Sequence, residues 1–287
     1  MAVLKQLKIL IFHDWFFKMN NELGIGVFAY NRPSHLKRVF LSITNNKIKK
    51  FHLFIDGPKN NIDVENIKTI NFIVREMNQK KNHIVIHNQD KNIGLRKSIF
   101  FGADLLSKKY RKFIIIEDDC ILYSNFINFI KSNLKKTVFK KNNIGAVYGF
   151  QFNEIQQQFD DLYPLLVSNF IPWGWGTLSE YWLEFRKSKK ILKNSKSYFN
   201  TTKKDLNFWS KDFINYNFDK GLKFICPSIN LIKNIGFDGS GVNSIATSDF
   251  NTKEKIPINI DLKNCRYEIK IDKKHIQQLS KKAKMFY

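Results

Sequence analysis

Short apolar runs alternate with longer amphipathic stretches from residue 24 to residue 136. The runs are ended by polar residues, glycine or proline, and they predict strands. In the longer stretches, apolar residues recur every three or four positions, which predicts helices with one buried face. The predicted strands are 25–30, 51–56, 83–87 and 112–117, and the predicted helices start at Pro33 or cover 63–79, 94–108 and 124–136.

Strands that alternate with helices are typical of βαβ units. The sequence therefore predicts an α/β fold of the Rossmann-like GT-A type, a mainly parallel twisted sheet flanked by helices in a single large domain. The run KFIIIE at 112–117 is apolar along most of its length, as expected for a parallel strand that is covered on both faces. Ligands of such sheets bind at the carboxyl ends of the strands, so the residues that follow each strand are the candidate site.

Two flanking segments differ from this pattern. Near the N-terminus, Leu4, Leu7, Ile11 and Trp15 fit one face of an amphipathic helix. Such a helix either packs on the domain or a partner, or lies on a membrane surface. Its longest apolar run, ILIF, is too short for a signal-peptide core or a membrane span. We predict an N-terminal extension (1–22), a transferase domain (23–262) with a nucleotide-binding half (23–150) and an acceptor half (151–262), and a basic tail (263–287).

The chain is strongly basic, with 48 Lys and Arg against 25 Asp and Glu and a formal charge of +23. Basic residues cluster in 186–204 and 263–287, where they form solvated faces or bind polyanions. An anionic membrane is the favoured partner, because no zinc-finger spacing, RNP motif or helix-turn-helix signal indicates nucleic acid. The three cysteines are far apart and lack a CxxC motif, which is typical of reduced thiols in the cytosol.

The densest acidic cluster follows the most apolar strand. Glu117, Asp118 and Asp119 stand directly after FIII. They form either a solvated turn with helix-capping acids or a site for Mg²⁺ or Mn²⁺, which take carboxylate oxygens and share their coordination with substrate phosphates. With one or two protein carboxylates, such a metal would need a diphosphate to complete its coordination.

Other polar residues follow the neighbouring strands. Asp56 is either a turn residue or an acceptor for a base or ribose. Arg32 is either a surface residue at a helix start or a bidentate phosphate ligand. Arg96 and Lys97 open a helix after a glycine, where the backbone and the side chains both favour an anion. The motifs GxGxxG and GxxxxGK[ST] are absent, which disfavours simple dinucleotide-binding and P-loop proteins.

Taken together, several blocks resemble the GT-A glycosyltransferases, in particular the N-acetylglucosaminyltransferase I-type branch and bacterial family 2-like enzymes of surface-polysaccharide synthesis. The resemblance covers roughly residues 24 to 245. It implies metal-dependent transfer of a sugar from a UDP-sugar, with UDP-GlcNAc favoured, to a hydroxyl of a glycan or lipid-linked acceptor, with inversion. The blocks are YNRP (30–33), FIDGP (54–58), NIGLR (92–96), EDD (117–119), WGWGT (173–177) and NLIKNIGFDG (230–239).

For the nucleotide, the resemblance implies that Asn31 and Arg32 contact it after the first strand, with Arg32 towards the diphosphate. Asp56 matches the acid that pairs with uracil, and Arg96 falls at a nucleotide-contacting position where relatives often have another residue type.

The acidic triplet EDD corresponds to the DxD motif of that family. Asp119 matches the single direct manganese ligand of the family, with Mg²⁺ as the other candidate ion. Glu117 and Asp118 match acids that contact the donor sugar and the ribose.

On the acceptor side, the resemblance implies a Trp- and Gly-rich loop with Trp173, Gly174 and Trp175. Asp212 matches the general base, with Asp205 and Asp219 as rivals because the surrounding residues depart from the usual pattern. The block that begins at residue 230 resembles the loop that closes over the donor, although the histidine that many relatives carry after it is missing here.

Two other functions remain open. A nucleotidyltransferase would share the sheet and the metal, but its first loop should carry a Gly-rich signature where this chain has AYNRPSH. The second is a non-catalytic membrane- or polyanion-binding protein on an inactive transferase fold. For the enzyme, we expect a cytoplasmic location, peripheral at the inner face of the cell membrane, because lipid-linked or anionic acceptors suit a positive surface.

Overall fold

The computed structural model describes residues 22–79, 82–188 and 209–239, except the side chains of residues 154 and 155. The strands are β1 (Leu23–Ala29), β2 (Lys50–Ile55), β3 (His83–Asn88), β4 (Lys112–Glu117), β5 (Cys120–Leu122), β6 (Ile144–Tyr148), β7 (Pro164–Val167), β8 (Trp175–Leu178), β9 (Lys223–Pro227) and β10 (Ile232–Asn234). The helices are α1 (Pro33–Asn45), α2 (Asn61–Gln79), α3 (Leu95–Lys109), α4 (Phe126–Asn133), α5 (Lys136–Asn142), α6 (Asn153–Gln156), α7 (Ser179–Lys187) and α8 (Trp209–Asp219).

Eight strands form one sheet in the order β3-β2-β1-β4-β8-β6-β9-β7. The first four are all parallel, so their carboxyl ends meet at one edge. In the other half, β8 runs antiparallel to both β4 and β6, and β7 runs antiparallel to β9. The predicted α/β class with a mainly parallel sheet is confirmed, and the antiparallel strands all lie beyond β4.

Each face of the sheet carries its own apolar core, because side chains alternate between the faces along every strand. On one face, strand residues such as Val27, Leu53 and Ile114 pack with α1, α2, α4 and α5. On the other face, Phe28, Phe54 and their neighbours pack with α3, α7 and α8. Burial on both faces explains why β4 is apolar along its length, although only one of its two neighbours is parallel.

The four predicted strands and the first three helices are confirmed, with end shifts of one or two residues. Pro33 is the first residue of α1, where its missing N–H has no helical partner to lose. The single helix predicted over 124–136 is wrong: α4 ends at Asn133, and Leu134 turns inward with φ −78° and ψ 59°. Leu134 is 1% exposed, so its burial fixes the break before α5.

Some sequence predictions concern residues outside the described ranges. These are the N-terminal amphipathic helix, the basic tail, most of the basic cluster 186–204, and Asp205. Within the described ranges, no helix is both long and apolar enough to cross a membrane.

Candidate active site

The acidic triplet lies at the end of β4, the last strand of the parallel half. β4 pairs with β1 as far as Glu117, whereas its pairing with β8 ends at Ile115, so β1 holds the residues next to the triplet. Asp118 is almost completely buried and accepts hydrogen bonds from the backbone N–H of Tyr30, at 3.4 Å, and from Arg32. Asp119 follows it at the surface of the site, with 16% of its side chain exposed. The strand thus holds two carboxylates side by side at the edge where ligands of such sheets bind.

Arg32 joins these two carboxylates. It stands at the N-cap of α1, and its Nη2 contacts Asp118 Oδ1 and lies 2.9 Å from Asp119 Oδ2. Burial lowers the pKa of Arg32, but the two carboxylates outweigh burial and raise it. The guanidinium therefore stays charged and serves as the counterion of the acid pair.

Glu117 has a different environment from the other two acids. Burial, followed by the charges of Asp119 and Asp118, raises the pKa of Glu117 to about 8, although Arg32 opposes the shift. None of the described residues donates a hydrogen bond to its side chain. Burial also raises the pKa of Asp118, and Arg32 again opposes it.

The segment after β10 lies against Asp119. β5 and β10 form a two-stranded antiparallel sheet in which Asn234 is opposite Cys120. The backbone N–H of Ile235 donates to the carbonyl of Asp119 at 2.9 Å. Gly236 follows directly, and a Cβ at this position would overlap Asp119 Oδ2. The glycine therefore lets the Asp119 carboxylate pack directly against the backbone of this segment.

A histidine connects the same segment to the first helix. Asp238 Oδ2 lies 3.1 Å from Nε2 of His35, which is buried in α1. The block that resembles a donor-closing loop is thus attached on both sides of the site, to Asp119 and to α1.

Asn31 is positioned by an acid that the sequence did not single out. Asp63, which is 3% exposed in the first turn of α2, accepts hydrogen bonds from Asn31 Nδ2 at 2.6 Å and from the Tyr30 hydroxyl at 2.5 Å. It also accepts from the backbone N–H of Lys59 at 2.9 Å. Burial raises the pKa of Asp63, but these hydrogen bonds outweigh it, and the pKa is lowered. One buried carboxylate therefore connects the turns that follow β1 and β2.

Asp56 lies at the end of β2, and groups of the protein donate hydrogen bonds to both of its carboxylate oxygens. Its Oδ1 accepts from the backbone N–H groups of Gly57 and Ile93, both at 2.9 Å. Its Oδ2 accepts from Gly94 N–H at 2.9 Å and from Asn92 Nδ2 at 3.1 Å. A carboxylate has about four acceptor positions, so in this conformation none is left for a base. The pairing of Asp56 with uracil stays a prediction, and the observed role is to fix the loop between β3 and α3.

Arg96 pairs with Asp212, the predicted base, at the same edge of the sheet. Arg96, in the first turn of α3, forms an ion pair with Asp212 Oδ2 in the first turn of α8. The other carboxylate oxygen of Asp212 accepts no hydrogen bond from the described residues. The Arg96 guanidinium also lies 5.1 Å from the centre of the Phe100 ring. Asp219, one of the two rival bases, is the last residue of α8 and lies at the opposite end of that helix.

The Trp–Gly–Trp segment is mostly part of the core. Trp175 is fully buried and stacks on Trp209 at 5.3 Å between ring centres, so the structure leaves it no exposed face for a sugar. Gly174 has φ +58°, and a Cβ there would overlap Ile232. Trp173 is half-buried and contacts Phe237. Of these three residues, Trp173 alone combines a partly exposed ring with contact to the segment beside Asp119.

The donor set around Asp119 fits a divalent cation that a ligand helps to hold. Among the described residues, no group of three or more His, Cys, Asp or Glu side chains is arranged to hold a metal on its own. Asp119 nevertheless keeps part of its side chain exposed, and a positive group, Arg32, already lies against Oδ2. A hard cation would bind here through one protein carboxylate and complete its coordination with oxygens of a substrate.

Sequence reasoning thus identified the strand-end residues but missed those that organise them. Asp63 lies in none of the blocks that carry the resemblance, and in sequence it looks like an ordinary first-turn acid of a helix. Gly236 lies in one of the blocks that carry the resemblance, although its close packing against Asp119 was not expected. His35 and Asp238 are 203 positions apart in sequence, and only the fold brings them together.

No protein-family model and no curated protein matches the chain. The solved structure of 4-diphosphocytidyl-2C-methyl-D-erythritol synthase from Anaerococcus prevotii matches with a TM-score of 0.39 and 12% identity, over 81% of this chain and 94% of its own. UDP-glucose pyrophosphorylase, solved with UDP-glucose, matches with a TM-score of 0.36 and 11% identity, over 74% of this chain and 91% of its own. Both likenesses are too distant to assign an activity to this chain.

Proposed function

We propose that this chain is a metal-dependent glycosyltransferase that moves a sugar from a UDP-sugar to a hydroxyl of a glycan or lipid-linked acceptor, with inversion. The observation that carries the proposal is the environment of Asp119. Its carboxylate stands at the end of β4, is partly exposed, and among the described residues is paired only with a side-chain cation and a weak thiol donor. Such a carboxylate is rigidly placed and still accessible to an incoming cation.

Asp119 would hold Mn²⁺ or Mg²⁺, and the bound ion would stabilise negative charge on the departing diphosphate. Arg32 is placed to add a second positive charge at the same position, because its guanidinium already reaches the Asp119 carboxylate. Asn31, held by Asp63, would contact the nucleotide after β1. The Glu117 side chain has no hydrogen-bond donor among the described residues, so it is available to the hydroxyl groups of the donor sugar.

Asp212 is the candidate base. In inverting transfer, the acceptor oxygen attacks the anomeric carbon as the bond to the diphosphate breaks, and the base takes the hydroxyl proton. Arg96 binds one oxygen of the Asp212 carboxylate and leaves the other for that proton. The ion pair thus orients the carboxylate and ties the acceptor half to the nucleotide half.

A peripheral location at an anionic membrane is part of the proposal. It is supported by the net charge of +23 and by the basic clusters. Binding of the full chain to vesicles that contain anionic phospholipid should weaken as salt rises, because screening reduces the attraction between charges. Equal binding to neutral vesicles would contradict this location.

A panel of nucleotide sugars tests the activity directly. The full chain is incubated with each donor, with and without Mn²⁺, and released UDP is measured. We expect metal-dependent UDP release from at least one UDP-sugar, with UDP-GlcNAc first in the panel. Release of pyrophosphate from a nucleoside triphosphate and a sugar phosphate would instead indicate a nucleotidyltransferase. Absence of both activities and of UDP binding would favour the non-catalytic alternative.

A further inference from the structure

The cation-binding carboxylate of the proposed site already has a cation. Arg32 Nη2 lies between Asp118 and Asp119, and only 18% of its side chain is exposed. The guanidinium therefore occupies, in the free protein, the electrostatic position that a divalent ion would take. A metal that approaches Asp119 alone meets a carboxylate whose charge is already compensated and a fixed positive charge beside it.

The contacts of Arg32 with the two carboxylates differ in how firmly each carboxylate is held by the rest of the protein. Asp118 is almost completely buried and also accepts the N–H of Tyr30, so its position is fixed by the end of β1. The Asp119 carboxylate has no backbone donor in the described residues. Besides Arg32, its hydrogen-bond partner is the Cys120 thiol, a weak donor at 3.6 Å. The contact of Arg32 with Asp118 is therefore fixed, whereas its contact with Asp119 can be replaced by that of another ligand.

Arg32 must move if a metal is to bind, since it cannot give up its charge. A guanidinium is not deprotonated in proteins, and two adjacent carboxylates further favour its charged form. Moving the guanidinium off Asp119 leaves donors without acceptors in a partly buried site, which is unfavourable unless new acceptors arrive. The oxygens of a diphosphate are well suited to this, because guanidinium groups bind phosphates through paired hydrogen bonds.

We propose that Arg32 is a built-in competitor of the divalent cation at Asp119, and that the nucleotide diphosphate releases this competition by taking Arg32 from Asp119. The inference rests on the proposed function and adds a rule for ligand binding. Metal alone binds weakly, whereas metal and UDP each strengthen the binding of the other, and the two coupling factors must be equal. The chain is then protected from holding a metal without its donor.

The test measures Mn²⁺ binding to the full chain, without turnover, by titration and detection of free Mn²⁺ by electron paramagnetic resonance. The variants are Arg32→Gln and, as a control, Arg38→Gln, which removes the same charge from an exposed position of α1. Without UDP, we expect Arg32→Gln to bind Mn²⁺ at least about 10-fold more tightly than wild type, and Arg38→Gln to match wild type. With UDP, the gain in Mn²⁺ affinity should be large in wild type and much smaller in Arg32→Gln.

The outcomes separate this inference from the proposed function. If wild type and Arg32→Gln bind Mn²⁺ equally without UDP, while UDP strengthens Mn²⁺ binding equally in both, the competition is refuted and the metal site stands. If wild type binds no Mn²⁺ with or without UDP, the proposed function fails. Should Arg32→Gln not fold, Arg32→Lys replaces it, because a lysine keeps the charge but lacks the planar fork. An unchanged ratio of Mn²⁺ affinities with and without UDP in Arg32→Lys would then contradict the inference.

Discussion

The ends of β2 and β4 carry aspartates at equivalent places of the sheet, in opposite surroundings. At β2, Asp56 accepts four hydrogen bonds, three of them from backbone N–H groups of the adjoining loops. At β4, Asp119 is paired with the side chain of Arg32 and is partly exposed. Backbone donors are fixed by the fold, whereas a side chain can rotate away. The difference teaches that a carboxylate at a strand end is a ligand site only where its partners can be exchanged.

The largest effect on activity is expected from a substitution of Asp119. Asp119→Asn keeps the shape of the side chain but removes the charge that would hold the cation. We expect turnover of the active donor to fall about 1000-fold, because metal-assisted charge stabilisation contributes several kcal/mol. The free energy of unfolding should change little, since no described residue donates a backbone N–H to this side chain and Arg32 stays paired with Asp118. Steady-state kinetics and urea denaturation measure the two effects, and wild-type turnover would contradict the assignment.

At Asp56 the comparison predicts a loss of stability. Asp56→Asn turns one acceptor oxygen into a donor that faces backbone N–H groups, which should lower the free energy of unfolding by about 2–3 kcal/mol. Asp90→Asn, at an exposed position close to the same loop, serves as the matched control. Loss of UDP binding by Asp56→Asn with unchanged stability would show instead that Asp56 is a nucleotide ligand.

A buried histidine in β2, the strand that leads to Asp56, predicts that the free energy of unfolding depends on pH. His52 is buried and hydrogen-bonded to His87 and to the Tyr110 hydroxyl, both at 2.8 Å. Burial, with help from Lys109, lowers the pKa of His52 to about 4. Because the unfolded chain binds this proton near its usual pKa of about 6.5, stability should fall as the pH drops from 6.5 towards 4.

Between pH 7 and pH 5, His52 should account for a loss of about 2 kcal/mol in the free energy of unfolding. Burial lowers the pKa of His87 as well, so that histidine contributes in the same direction. Denaturation at both pH values is compared in wild type and His52→Gln, which should lose less stability on acidification. An equal loss in the two proteins would show that His52 is not the responsible group.

The smallest predicted effect concerns the close contact between Gly236 and the Asp119 carboxylate. Gly236→Ala places a Cβ against Asp119 Oδ2 and should weaken UDP-dependent Mn²⁺ binding about 10-fold, through displacement of the carboxylate. Gly221→Ala is the control, because Gly221 has φ +64° with no atom near its Cβ position. It should cost about 1 kcal/mol of stability and leave Mn²⁺ binding unchanged. Equal Mn²⁺ binding by Gly236→Ala and wild type would show that this contact does not position the Asp119 carboxylate for the cation.

The hydrophobic pattern was sufficient to predict the parallel half of the sheet, because each of its strands is a short apolar run before a polar turn. It therefore also predicted that Arg32, Asp56 and Asp119 lie at one edge. The pattern could not show which partners these side chains take. The partners of Asp56 depend on the path of a loop after another strand, and the packing of Gly236 against Asp119 depends on a segment more than 110 residues away.

The acceptor half was harder to predict for a physical reason. Its strands are short, and three of the sheet pairings are antiparallel, so they do not follow the strand–helix alternation of the first half. Trp175 shows the consequence: an aromatic residue next to glycine resembles a sugar-binding surface in sequence, but here it fills the core between β8 and α8.

The most direct test of the account is calorimetric titration of UDP into the full chain, with and without Mn²⁺, for wild type and Asp119→Ala. The account predicts that wild type binds UDP markedly more tightly in the presence of Mn²⁺, and that Asp119→Ala loses this dependence while it remains folded. Binding of UDP that is equally strong with and without Mn²⁺ in wild type, or an unchanged metal effect in Asp119→Ala, would contradict the assignment of the cation to the end of β4.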